Sequence, residues 1–225
     1  MAQTLFVTGT DTGVGKTRVA VAVLTALRQR GLRACGYKPV ASGCIRTPDG
    51  LRNDDALALQ AASTPGLRYA QINPLALEPA IAPHLAARQA GIEIRLDQLD
   101  RAHAELEADH DWIVVEGAGG WSVPLNDTQT IGDWVACRQW PVLLVVGMRL
   151  GCINHALLSA DAIEARTALA AWVANTLPPA MPMLEDNIES LRARLPAPLW
   201  GVVPEGAEAE SAAAALSSMT LPGRV

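Results

Sequence analysis

Thr4-Leu5-Phe6-Val7-Thr8-Gly9-Thr10-Asp11-Thr12-Gly13-Val14-Gly15-Lys16-Thr17 is the stretch on which the fold of this 225-residue chain turns. The short apolar run Thr4 to Thr8 enters a glycine-rich loop, and Thr17 to Arg30 follows with helix-forming, periodically apolar residues up to Gly31. Strand, loop and helix in that order build a phosphate cradle. Glycines let backbone N–H groups turn inward, the helix start contributes its positive end, and a lysine reaches the outer phosphates. Thr17, directly after the lysine, is placed to offer a hydroxyl to magnesium. The loop departs from the strict pattern, because Gly9 and Gly15 are separated by five residues and the stricter spacing would put glycine where Thr10 stands. Its context, an apolar strand before and a helix after, favours the phosphate loop over a glycine turn without function.

Working outward, Arg33–Val40, Asp111–Val115, Val142–Val146 and Leu169–Ala174 read as further strands, and Ala197–Val203 as one more. Helices are predicted near Asp54–Ala62, Asp97–Ala108, Cys152–Ala165 and Leu184–Arg194. Buried strands alternating with helices imply an α/β domain, a mainly parallel sheet with helices on both faces, spanning residues 1–225 as one unit. In such sheets ligands bind at the carboxyl ends of the strands, so the loops after Thr8, Tyr37, Val115 and Val146 are expected to converge. Thr64–Pro83 contains four prolines and predicts irregular surface chain. Ala207–Val225, rich in alanine and serine, predicts a divergent segment holding a short helix, with a mobile tip.

A formal charge of −5 and a pI near 5.4 supply no positive field for a nucleic-acid backbone or an anionic membrane surface. No apolar run is long enough to cross a bilayer, and Thr4–Thr8 is too short for a secretory leader. Cys35, Cys44, Cys137 and Cys152 are scattered without metal-ligand spacing, so a cytoplasmic chain with free thiols is expected. More informative is the basic set: of eighteen basic residues sixteen are arginine, and the only lysines are Lys16 and Lys38. A compact ammonium is not interchangeable with a planar guanidinium, so isolated lysines mark places where a point charge is needed.

Lys38 lies in Gly36-Tyr37-Lys38-Pro39-Val40-Ala41-Ser42-Gly43, just past the second strand and therefore at the same sheet edge as Lys16. Ser42 either closes a turn with Gly43 or adds a hydroxyl to that site. Glu116 ends the apolar strand Trp112–Val115 and opens Gly117-Ala118-Gly119-Gly120, whose bare backbone can approach a ligand. It is a candidate carboxylate for nucleotide-bound magnesium, the alternative being a solvated strand end. Asp54 and Asp55 precede an apolar helix, a pattern that by itself favours N-capping. Gly151-Cys152-Ile153-Asn154-His155 opens another helix whose N-terminus suits a carboxylate, with His155 itself packing or facing solvent.

Taken together, the loop Gly9–Thr17, Tyr37–Gly43, Glu116–Gly120 and Gly151–His155 resemble dethiobiotin synthetase, and Gly50–Asn53, Asn73-Pro74, Pro83-His84 and Trp172–Asn175 extend the match over about residues 4 to 204. The resemblance implies a homodimeric, cytoplasmic P-loop enzyme of biotin synthesis that closes the ureido ring of 7,8-diaminononanoate with carbon dioxide or bicarbonate. ATP is its co-substrate and Mg2+ its cofactor. It further implies catalytic roles for Lys38, Lys16, Thr12 and Ser42, and magnesium on Thr17, Asp55 and Glu116, which reassigns Asp55 and leaves Asp54 as the cap. Nucleotide contacts are implied at Gly13, Val14, Gly15, Lys16, Thr17, Asp55, Glu116, Gly117, Ala118, Gly119 and Asn175. Substrate contacts are implied at Ser42 and at Gly151, Cys152, Ile153 and Asn154, the last four from the neighbouring subunit.

Thr176 departs from the aspartate of many relatives, and agreement fades after Pro204, so the contacts of Thr176, Pro204, Glu205 and Gly206 are implied by position only. Two rival classes share the loop. A nucleotide-switch ATPase that positions cell components usually carries an early lysine in the loop and a membrane or DNA surface, and Gly9-Thr10-Asp11 with a negative net charge fits neither. An amidoligase of the cobyric-acid type would need a glutamine-hydrolysing domain for which the chain has no room.

Overall fold

Alternate side chains of the first strand enter two different cores: Leu5 and Val7 pack to one face and Phe6 to the other. In the computed structural model, which describes residues 2–221, this strand is β1 (Gln3–Gly9). It is followed by α1 (Lys16–Gln29), β2 (Ala34–Tyr37), β3 (Val40–Ala41), β4 (Ile45–Thr47), β5 (Gly50–Arg52), α2 (Asp54–Ala62), α3 (Tyr69–Ile72), β6 (Leu75–Ala76) and α4 (Pro83–Gln89). The chain continues through α5 (Leu96–Glu107), β7 (Trp112–Glu116), α6 (Ile131–Arg138), β8 (Val142–Met148) and α7 (Cys152–Glu164). Last come β9 (Leu169–Thr176), α8 (Leu184–Arg192), β10 (Leu199–Val203) and α9 (Ala209–Ala215).

The main sheet has six strands in the order β10-β9-β8-β1-β7-β2, and every pairing is parallel. The parallel α/β architecture expected from the sequence is therefore present. Both faces are buried, which is why the strands read as continuous apolar runs rather than alternating ones. α1, α2 and α9 cover one face through Val19, Val23, Leu59 and Ala212. α5, α6, α7 and α8 cover the other through Leu99, Trp134, Ile163 and Ile188. β1 lies where the strand order reverses, the place at which such sheets open a crevice beyond their carboxyl ends.

Several local features differ from the sequence reading. The strand expected over Arg33–Val40 is divided: β2 ends at Tyr37, and Val40–Ala41 pairs instead with Leu75–Ala76 in a separate two-stranded sheet. Pro39 has no N–H with which to continue a ladder, so the chain leaves the main sheet there. Thr64–Pro83 is not wholly irregular, since it contains α3 and β6. α4 and α6 add to the helices expected from the sequence, and α6 carries a local signature in the reciprocal capping of Thr130 and Asp133. The expected short helix near the chain end is α9; residues 222–225, the tip expected to be mobile, lie outside the described residues.

Beneath α5 and α6, Tyr37, His103, Trp134 and Trp140 form an aromatic group, with His103 and Trp140 ring centroids 4.6 Å apart and Trp134 and Trp140 4.9 Å apart. His103 Nε2 is 3.0 Å from Thr4 Oγ1. Burial pulls the His103 imidazole down from 6.5 to about 4. Between those values the unfolded chain binds a proton that the native chain does not, so stability is lost as pH falls from 6.5 towards 4. The slope from this one group is at most about 1.4 kcal/mol per pH unit. Urea denaturation at pH 7 and pH 5 is expected to show a smaller stability difference in His103→Leu than in the wild-type chain; an unchanged difference would assign the acid sensitivity elsewhere.

Candidate active site

The loop after β1 takes its shape from Gly15 and Asn175. Gly15 has φ 88°, and a Cβ on it would come within 2.1 Å of Asn175 Nδ2, so only glycine permits this approach. Asn175, at the end of β9, donates from Nδ2 to the Val14 carbonyl at 2.9 Å, while Thr10 N donates to Val145 O at 3.0 Å. α1 starts directly after Gly15 with no side-chain cap, which leaves its first N–H groups available to a ligand. Lys16 Nζ donates to Asp11 O at 2.9 Å. Burial, then the charge of Lys38, lowers its pKa to about 8.

Lys38 follows β2 by one residue and Glu116 is the last residue of β7, and the β2–β7 register pairs Tyr37 with Val115. Their side chains meet: Lys38 Nζ donates to Glu116 Oε1 at 2.6 Å and to Asp55 Oδ2 at 2.9 Å. Burial alone would lower the lysine's pKa, but Glu116 and then Asp55 outweigh it and the net shift is upward. For Asp55 burial pushes up and Lys38 prevails, so its carboxyl titrates lower than usual. Thr17 Oγ1 donates to the same Glu116 Oε1 at 2.9 Å, and Glu116 Oε2 is buried without a hydrogen-bond partner among the described residues. The cap of α2 is neither Asp54 nor Asp55: Asn53 accepts from Ala56 N at 3.3 Å, and Asp54 only occupies the first turn. An Asx side chain one position earlier reaches the free N–H, which leaves Asp55 turned to Lys38.

These groups border a cleft of about 830 Å³ whose walls include Thr12, Gly13, Gly15, Lys16, Thr17, Lys38, Ser42, Asp55, Glu116, Ala118, Gly119 and Asn175. Other candidates stand apart from the walls. Val14 is buried beneath the loop, and Gly117 offers its carbonyl to Lys38 at 3.4 Å. The Thr176 hydroxyl donates to Val203 O at 3.1 Å, and Pro204, Glu205 and Gly206 are exposed beyond β10. Gly151, Cys152, Ile153 and Asn154 begin α7 outside the cleft. The loop after β8 approaches through Arg149, whose guanidinium pairs with the Asp11 carboxylate. Arg149 and the cleft-lining Ala80, Ile81 and Ala82 carry no local signal in the sequence, whereas Pro83 belongs to the resemblance through Pro83-His84.

No group of three His, Cys, Asp or Glu side chains arranged to hold a metal occurs among the described residues. Two carboxylates and a hydroxyl do converge, however, in Asp55, Glu116 and Thr17, a donor set of the kind that magnesium bound to a nucleotide takes from a protein. The buried, unpartnered Glu116 Oε2 fits such a site.

The family model described as "AAA domain" matches residues 3–213. The chain is 53% identical over 211 residues to the ATP-dependent dethiobiotin synthetase BioD of Xanthomonas oryzae pv. oryzae, covering 93% of this chain and 94% of that protein. It is 54% identical over 212 residues to the enzyme of the same name from Pseudomonas aeruginosa, covering 93% of each. Among solved structures it is similar to the septum site-determining protein MinD complexed with Mg-ADP from Pyrococcus horikoshii, with TM-score 0.58, 16% identity and coverage of 97% and 94%. The MinC:MinD cell division complex of Aquifex aeolicus gives TM-score 0.57 at 15% identity, covering 100% of this chain and 99% of that one. At those identities the likeness concerns the fold alone. The full-length agreement at more than half identity, on a phosphate loop with the geometry above, shows that the chain belongs to the ATP-dependent dethiobiotin synthetase family.

Proposed function

We propose that this chain closes the ureido ring of 7,8-diaminononanoate with carbon dioxide, consuming ATP and releasing dethiobiotin, ADP and phosphate. The observation that carries the reading is that Lys16 and Lys38, the only lysines of the sequence, border one cleft together with Thr17, Asp55 and Glu116. One substrate amine adds to carbon dioxide and loses a proton, giving a carbamate. A carbamate oxygen then bonds to the γ-phosphorus as the bond to ADP breaks. The second amine attacks the carbamate carbon and gives up a proton, and the C–O bond to phosphate breaks as the ring closes. This sequence asks for positioning and neutralisation of charge rather than for a protein nucleophile.

In this reading the N–H groups of Gly13, Val14 and Gly15 cradle the phosphates, Lys16 supports the outer ones, and Lys38 stabilises the moving phosphoryl group. Thr12 and Ser42 hold the carbamate end of the substrate. Thr17, Asp55 and Glu116 would hold Mg2+, which when bound supplies charge neutralisation on the phosphate oxygens. Gly117, Ala118 and Gly119 let backbone approach the nucleotide. The base is read by Asn175, whose Oδ1 is buried without a partner and suits the amino group of adenine, with Thr176, Pro204, Glu205 and Gly206 near it by position.

The substrate carboxylate is assigned to the α7 start, Gly151, Cys152, Ile153 and Asn154, of a second copy in a homodimer. Support comes from Leu150 and Leu158, 97% and 61% exposed on that segment. Residues 1–225 then form one ATP-binding and catalytic domain, cytoplasmic, with no nucleic-acid or membrane partner. No helix among the described residues is long and apolar enough to cross a membrane.

Incubation with diaminononanoate, bicarbonate, magnesium and ATP is expected to yield dethiobiotin by mass spectrometry; ATP hydrolysis without ring closure would refute the assignment. Lys38→Ala is expected to abolish turnover in a chain that still melts cooperatively. Lys16→Arg is expected to fail as well, because a planar fork does not replace a point charge in this loop, and near-normal rates in either variant contradict these roles. Asn175→Ala is expected to raise the KM for ATP about tenfold, the worth of one hydrogen bond, and to narrow the preference for ATP over GTP in steady-state kinetics.

A further inference from the structure

Past Tyr37 the backbone that carries Lys38 has left the main sheet, and its support comes from residues 69–75. Lys38 N donates to Ile72 O at 2.8 Å. Asn73, only 3% exposed, donates from Nδ2 to Lys38 O at 2.7 Å and to Leu75 O at 3.3 Å. Its Oδ1 accepts from the Tyr69 hydroxyl at 3.0 Å, and the Tyr69 oxygen accepts from Asn53 N at 2.8 Å. Asn53 is the cap of α2, and two residues later Asp55 Oδ2 accepts from Lys38 Nζ at 2.9 Å. The contacts therefore close on themselves: Lys38 backbone, Asn73, Tyr69, Asn53, Asp55 and the Lys38 ammonium. The Arg52 guanidinium lies over the Tyr69 ring, 4.3 Å from its centre.

We propose that Tyr69 and Asn73 are positioning residues, which act through this ring of hydrogen bonds to fix the Lys38 ammonium against Asp55. The inference rests on the role of Lys38 given above. A lysine side chain has four rotatable carbons, and two carboxylates alone fix its tip without fixing its root. The Asn73 amide fixes the root, and the Tyr69 hydroxyl ties root and carboxylate to one another. Mutual support of this kind makes hydrogen bonds in a closed network stronger than the same bonds taken singly. The Tyr69 hydroxyl is the link whose loss is cleanest, because phenylalanine keeps the ring under Arg52 and against the core while leaving Asn53 N and Asn73 Oδ1 unmatched.

The test uses Tyr69→Phe, with Asn73→Ala as the more severe variant, in the full chain. Because the sequence holds only two lysines, lysine labelled with 13C at Cε gives two side-chain signals by NMR, which Lys38→Ala assigns. In Tyr69→Phe the Lys38 signal is expected to move while that of Lys16 stays. In the dethiobiotin assay kcat is expected to fall at least about tenfold with the KM for ATP held within about twofold, since misplacing a reacting group costs rate rather than nucleotide binding. An unmoved Lys38 signal, a moved signal with unaltered kcat, or equal disturbance of Lys16 and of the KM for ATP would each overturn the proposal. The lysine signals read the ring without turnover, so a wild-type chain that forms no dethiobiotin refutes the assignment of function and leaves this inference to be decided by the signals alone.

Discussion

Burying the ammonium of Lys38 and the carboxylate of Glu116 side by side is the constraint around which this structure is arranged. An isolated charge in a protein interior costs several kcal/mol, and its mutual attraction with a partner repays that only when distance and hydrogen bonding are good. Glu116 is fully buried and Lys38 nearly so. Each offsets much of the other's burial cost at 2.6 Å. The pair in turn requires β2 and β7 to keep one register, with Tyr37 beside Val115. It also brings Val7 of β1 beside Glu116, so the phosphate loop begins next to the buried charge. A slip of one residue would turn Lys38 and Glu116 to opposite faces of the sheet.

On the other side of the cleft the balance runs the opposite way. Lys16 has no carboxylate in contact among the described residues; it donates to a carbonyl oxygen of its own loop. Burial and the neighbouring Lys38 bring its pKa to about 8. One lysine is thus satisfied by the protein, and the other is held at a cost that an arriving polyanion relieves. That asymmetry suits a nucleotide site: a rigid positive charge beside Asp55 and Glu116 and a second whose full stabilisation comes with an arriving polyanion. The Asp11–Arg149 pair keeps the outer part of the loop close to neutral, so the excess positive charge lies inside the cleft.

Much of this was legible in the chain itself, for physical reasons that can be named. Fully apolar strands between amphipathic helices admit few arrangements other than a parallel sheet, and glycines flanking a lysine at a strand end point to the loop. The scarcity of lysine made Lys38 conspicuous. What escaped was whatever depends on contacts between distant segments. Asn53 and Asp54 look alike as caps in one dimension, and only the bond from Ala56 N to the Asn53 side chain separates them. β3 and β6 are two residues each, too short for periodicity to register. Arg149 is one of sixteen arginines, with nothing local to single it out. Tyr69 lies in a proline-rich stretch that reads as surface chain, and its role follows from where its hydroxyl ends.

The restriction of lysine to positions 16 and 38 has a chemical consequence for anyone handling the protein. Both ammonium groups are nearly buried in the cleft, while arginine carries the positive charge of the outer surface and is inert to most reagents that acylate amines. Acylation of a lysine side chain in this molecule is therefore confined to the cleft, and an ordinary labelling reaction becomes a gauge of how open that cleft is.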